Sequence, residues 1–192
     1  ANQIQTKGYE ATINLMAVSH ARELELDEAL VQVEKESNVD ALYLVDSFGA
    51  LYSEQITHLA KKYKSLMPTK EIGIHAHNNQ QLAFANTIEA VIQNVNFLDG
   101  TIFGIGRAAG NCPLELLLGF LKNPKYDLRP ILEILESHFV KLKEEIEWGY
   151  TIPYMITGIL DLHPRAGMKL RKSDNRDNYL GFFDGLVESD SA

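Results

Sequence analysis

Four short apolar runs recur along this chain at a nearly even period: residues 13–19, 41–47, 72–78 and 97–103. Their starts lie 28, 31 and 25 residues apart. Each run has the length of a buried strand, and the segments between them carry apolar residues at helical spacing. Asp27 and Glu28 lead the first of these segments, and acidic residues there favour a helix start. Ser53 stands ahead of residues 54–60 as an N-cap. Residues 80–93 place Leu82, Ala85, Ile88 and Ile92 along a helical stripe. Strand then helix, repeated in this way, is the βα unit of a parallel sheet. The chain is therefore expected to be α/β.

A closed (β/α)8 barrel takes about 250 residues. Here 12 residues precede the first strand, and about 90 residues follow the fourth. That last stretch reads as helices over 114–121 and 128–148, with Pro124 and Pro130 as breaks. The pattern fits the C-terminal half of a (β/α)8 barrel over residues 1–122, with a helical C-terminal extension over 123–192. An open doubly wound sheet is the runner-up; four strands ahead of a long helical tail suit it less well. Residues 188–192 are expected to fray.

Composition narrows the function. The net charge of −8 argues against a nucleic-acid partner. The apolar runs stop well short of membrane-spanning length. Residues 1–5 lack the basic segment and apolar core of a secretory leader. A single cysteine, Cys112, excludes an internal disulfide framework and reads as a small buried residue. The cytoplasm is the simplest compartment on these grounds.

His75 and His77 carry the chemistry. Residues i and i+2 of a strand share a face, so both imidazoles sit together with Gly73, which is expected to leave space beneath them. Two imidazoles at a strand end can hold one divalent metal, although a His-x-His pair also occurs as two hydrogen-bonded histidines without an ion. Asn78 and Asn79 follow at the rim and are candidates for substrate contact. A glycine-rich stretch, residues 104–111, comes directly after the fourth run. In it Asn111 offers a carbonyl oxygen as a third ligand, and Arg107 a guanidinium for a carboxylate. The stretch lacks the spacing of a phosphate-binding P-loop. Asp46 ends the second strand at the same rim, either as a catalytic carboxylate or as one that closes the following turn.

The sequence Gly73-Ile74-His75-Ala76-His77-Asn78-Asn79, then residues 81–87, Leu98-Asp99-Gly100-Thr101, and Gly104-Ile105-Gly106 through Gly110-Asn111 resembles the metal-dependent aldolase and acyl-CoA lyase/synthase barrels. These are the 4-hydroxy-2-oxovalerate aldolases, the hydroxymethylglutaryl-CoA lyases, and the isopropylmalate and homocitrate synthases. Residues 15–20 and 44–49 extend the resemblance toward the aldolases, and it covers residues 10–120. It implies that His75, His77 and Asn111 are metal ligands. The ion would be Mn²⁺ or Mg²⁺, with Zn²⁺ as an alternative. It would stabilise an enolate as a 4-hydroxy-2-oxo acid is cleaved or formed. The resemblance also implies an aspartate ligand beside an arginine in an Asp-x-x-Arg-type motif, which this sequence does not contain. Trp148-Gly149-Tyr150 through Tyr154 resembles the Gly-Tyr-x-x-x-Tyr segment of the aldolases, which makes Tyr150 a candidate for proton transfer. A homo-oligomer and an aldehyde dehydrogenase partner are further implications. The alternatives are an acyl-CoA-dependent condensing synthase and a non-catalytic half-barrel.

Overall fold

The computed structural model describes residues 1–190. A single turn, α1 (Asn2–Gln5), precedes β1 (Thr12–Leu15), α2 (Glu23–Glu36), β2 (Ala41–Asp46), α3 (Ser53–Leu66), β3 (Glu71–Ala76), α4 (Ala83–Ile92) and β4 (Phe97–Leu98). The remainder is helical: α5 (Leu114–Leu121), α6 (Arg129–Ile134), a π turn at Leu135–Phe139, α7 (Val140–Glu145), α8 (Ile152–Ile159), α9 (Arg165–Arg171) and α10 (Tyr179–Asp190). Helix α10 ends at Asp190, and the rest of the tail expected to fray lies outside the described residues.

The four strands are all parallel and lie in chain order, β1-β2-β3-β4. A doubly wound sheet would reverse its strand order at a switch point. None occurs among the described residues, so the runner-up is set aside in favour of a four-stranded half of a (β/α)8 barrel. Alternation along the strands separates the two faces. Leu42, Leu44, Ile72, Ile74 and Ala76 pack outward with Leu30, Ile56, Leu59, Tyr63, Ala83 and Ala90 of the helices. Burying each large aliphatic side chain of that layer contributes about 1.5–3 kcal/mol. The opposite face carries Tyr43, Val45, Gly73 and His75, with Tyr43 beside Gly73 and Val45 beside His75 in register.

Several expected boundaries move. β1 stops at Leu15 because Ala17 takes a left-handed conformation, its N–H donating to Ser47 Oγ at 2.7 Å. β4 holds only two residues, and the chain then bends through Thr101, which bridges to Pro113. β3 ends at Ala76, so His77 lies one step beyond the strand. Ser53 is the first residue of α3 rather than its cap; Gln55 Oε1 accepts the Tyr52 N–H at 2.9 Å instead. Pro130 sits in the first turn of α6 and starts that helix rather than breaking one, as its missing N–H allows.

The C-terminal helices dock on the C-terminal rim of the strands. Gly158 of α8 comes so close to the rim that a Cβ there would lie 2.8 Å from Asn79 Cβ. Tyr154 and Met168 form a small apolar cluster with Ala108 and Ala109. Among the described residues no helix is long and apolar enough to cross a membrane.

Candidate active site

His75 and His77 stand together at the end of β3, their ring centroids 5.2 Å apart and nearly perpendicular. His75 Nδ1 lies 2.9 Å from Asp99 Oδ2. A carboxylate accepts, so Nδ1 carries a proton, and in the neutral ring that leaves the Nε2 lone pair for a ligand. Nothing in the residue pattern alone gives Asp99 a role. β4 pairs with β3 through Ile74 and Leu98, so the next residue, Asp99, comes level with His75. Only the register reveals this, because the two residues are 24 positions apart.

The space expected beneath the histidines at Gly73 is filled. A Cβ on Gly73 would lie 2.5 Å from ring atoms of Tyr43, so glycine is needed to admit that ring. Burial and the neighbouring Asp99 carboxylate push the Tyr43 phenol up from its ordinary value. Asp99 is thus flanked by His75 on one side and Tyr43 on the other.

Burial pushes the His77 imidazole down to about 4, helped by the neighbouring His75 and Arg107. A neutral imidazole is the form that binds metal. Asn111 reaches His77 because residues 104–111 turn back antiparallel to the end of β3. Cys112 N–H donates to Ala76 O at 3.2 Å, and Asn78 N–H to Gly110 O at 2.9 Å. Gly110 makes the turn at φ +79°, where any Cβ would strike Gly104 O. Gly106 then lets the Asn111 amide pass; a Cβ at Gly106 would lie 2.5 Å from Asn111 Nδ2. Cys112 is fully buried, as expected, and burial raises its thiol to about 11.

Asn111 Nδ2 donates to Ile105 O at 3.0 Å, which fixes the amide. Its Oδ1 is buried and without a hydrogen-bond partner among the described residues. A buried acceptor left unpaired costs about 1–3 kcal/mol. Two imidazoles at the end of β3 and the unpaired amide oxygen of Asn111, the residue paired with His77, suit a divalent cation, so the residues present fit the metal that the motif implies. Among the described residues no group of three His, Cys, Asp or Glu side chains is placed to hold a metal. The donor set therefore rests on two histidines and an amide.

The other expected residues divide. Ala50 N–H donates to Asp46 Oδ1 at 2.9 Å and Leu51 N–H to its Oδ2 at 3.3 Å, and its backbone oxygen accepts His77 N–H. It closes the β2–α3 turn, and its burial raises its carboxyl to about 7 against those hydrogen bonds. Asn79 is buried and donates to Tyr154 O at 3.2 Å, tying the rim to α8. Asn78 Oδ1 accepts Ala83 N–H at the start of α4. Arg107 is exposed, close to His163 and Ser47. Tyr150 is 46% exposed, on a segment held to the glycine-rich loop by Gly149 N–H donating to Ala108 O.

The HMGL-like family model matches residues 2–137. The chain belongs to the HMGL-like family. Its relatives include a 4-hydroxy-2-oxovalerate aldolase of Thermus thermophilus, 34% identical over 133 residues, which are 67% of this chain and 38% of that protein. Another 4-hydroxy-2-oxovalerate aldolase, of Geobacillus thermodenitrificans, is 35% identical across 91% of this chain and 58% of its own length. An oxaloacetate decarboxylase of Mycobacterium tuberculosis is 36% identical over 62% of this chain and 34% of its own. The HMGL-like chain thus spans between about a third and three-fifths of these relatives. Among solved structures, the HMG-CoA lyase of Bacillus subtilis superposes with a TM-score of 0.62 at 19% identity, over 75% of this chain and 52% of that one. That likeness concerns the fold.

Proposed function

We propose that this HMGL-like chain carries part of the active site of a divalent-metal-dependent carbon–carbon lyase, a class II aldolase acting on a 4-hydroxy-2-oxo acid. The buried, unpartnered Oδ1 of Asn111, the residue paired with His77, is the observation that carries this reading. His75 through Nε2, His77 and Asn111 through Oδ1 would hold the ion, with Mn²⁺ or Mg²⁺ preferred and Zn²⁺ as the alternative. When bound, the ion supplies a Lewis acid that lowers the cost of negative charge developing on the 2-oxo acid.

The chain's own residues prepare that chemistry. Asp99 holds His75 in one tautomer and orientation, as carboxylates do behind metal-binding histidines. Asp46 fixes the backbone of His77 and the turn beside it, so its part is positioning rather than proton transfer. Asn79 seats α8 against the rim. Asn78 and Arg107 face the substrate, with Arg107 directed to a carboxylate. Tyr150 is the candidate to move a proton at the rim. The reading also includes a homo-oligomer, checked by light scattering at several concentrations, and an aldehyde dehydrogenase as partner, checked by co-purification.

Elemental analysis of the purified chain tests the site. The wild type should retain about one Mn²⁺, Mg²⁺ or Zn²⁺ per chain after desalting. The His75→Ala/His77→Ala variant should retain none. Equal metal content in the two would remove the basis of the reading.

A further inference from the structure

The segment between α8 and α9 is pinned across the strand rim. Asp161 takes a left-handed conformation at φ 51°. A non-glycine residue there costs of order 1 kcal/mol and persists where its surroundings over-determine it. Ser19 Oγ donates to Asp161 Oδ1 at 2.9 Å, His20 Nε2 meets Asp161 O at 2.7 Å, and Leu162 N–H donates to Thr157 O. Two residues later the His163 ring packs 5.8 Å from the Phe48 ring, which itself lies 4.8 Å from the His20 ring. These contacts place His163 over the loop that carries Arg107.

The hydrogen bonding of His163 is asymmetric. Arg165 N–H donates to His163 Nδ1 at 3.1 Å, so Nδ1 is an acceptor and the ring proton sits on Nε2. Nε2 lies 3.5 Å from Arg107 Nη1. A guanidinium has donors and no acceptor. Two donors therefore face each other across 3.5 Å, a contact that gains nothing until an acceptor joins it. Burial and the nearby Arg107 and Arg165 charges lower the His163 imidazole from its ordinary value. Arg107 is also among the charges that depress His77, so its guanidinium acts on that ring.

We infer that Arg107 and His163 form a two-donor carboxylate site, in which one substrate oxygen accepts from Arg107 Nη1 and from His163 Nε2. This deepens the reading above and rests on it for the source of the carboxylate. The C-terminal helices then contribute to substrate selection, because the linker between α8 and α9 supplies one of the two donors. The carboxylate has two sources: the one next to the oxo group, or a second one at the far end of a dicarboxylic acid.

Calorimetric titration of this chain with pyruvate and with malonate, after chelation and again with Mn²⁺, tests the site. His163→Phe keeps a ring against Phe48 and removes the donor; His163→Gln restores an N–H. A hydrogen bond to a charged group predicts about ten-fold or greater weakening in His163→Phe and in Arg107→Met, with partial recovery in His163→Gln. Thermal unfolding midpoints report whether each variant is folded. Weakening for malonate alone assigns the far carboxylate, and weakening for both ligands assigns the near one. Wild-type affinity in folded His163→Phe for both ligands overturns the inference, as does failure of the wild type to bind either. Anion binding that survives chelation in a chain without metal affinity would count against the metal reading alone.

Discussion

His75 Nδ1 lies 2.9 Å from Asp99 Oδ2, across two adjacent strand ends. Both groups are partly exposed, so the pair adds little stability by itself. Its consequence is orientation. Removing a carboxylate behind a metal-binding histidine typically costs 10–100-fold in metal affinity. Asp99→Asn should therefore weaken Mn²⁺ binding by about that range, measured by calorimetry, while the unfolding midpoint of the metal-free chain barely moves. Unchanged metal affinity would detach Asp99 from the site.

Gly106 should tolerate no side chain. A Cβ would lie 2.5 Å from Asn111 Nδ2, so the amide must give up its hydrogen bond to Ile105 O to make room. Gly106→Ala is expected to cost about 1–3 kcal/mol in urea unfolding, the usual range for overpacking. Metal retention should fall with it, since displacing the Asn111 amide moves Oδ1. Gly185, with nothing within 4 Å of its Cβ position, serves as the control; Gly185→Ala should lack both effects.

Tyr63 is fully buried, and its hydroxyl has no partner among the described residues. Burial alone pushes that phenol far up from its ordinary value. Tyr63→Phe removes an unpaired polar atom and leaves the ring packing intact. Stability should stay level or rise by about 1 kcal/mol in chemical denaturation. A loss above 2 kcal/mol would mean that the hydroxyl is paired after all.

Arg171 Nη2 lies 2.6 Å from Glu147 Oε2, and its Nε is also in range of the same carboxylate. The hydrogen bond from Arg171 holds the Glu147 carboxyl below its ordinary 4.5. A group with a lowered folded-state value contributes stability that is full above the unfolded value and lost as pH falls through the folded one. Acidification below 4.5 should thus lower the unfolding midpoint more in the wild type than in Glu147→Gln. The carboxylate is half exposed, so solvent screening keeps the difference small. Identical acid profiles would show that the pair does not bear on stability.

Much of this protein was legible in its residues, because strand and helix patterns are local. The apolar runs at 41–47 and 72–78 correspond to β2 and β3, and the helix expected over 114–121 is α5 to the residue. The spacing of His75 and His77 was enough to place both imidazoles at one strand end. Pairings across the sheet are not local. Asp99 beside His75, Tyr43 beneath Gly73 and His163 over Arg107 depend on register and on how the C-terminal helices dock. Asn79 and Asp46 show the same limit from the other side. Each has a polar side chain at the rim, and only the docked α8 and the β2–α3 turn decide that their hydrogen bonds go to backbone. Sequence period determined which residues reach the rim. Tertiary packing decided which of their polar atoms remain free for a ligand, because a buried donor or acceptor must first be satisfied by whatever neighbour the fold brings to it.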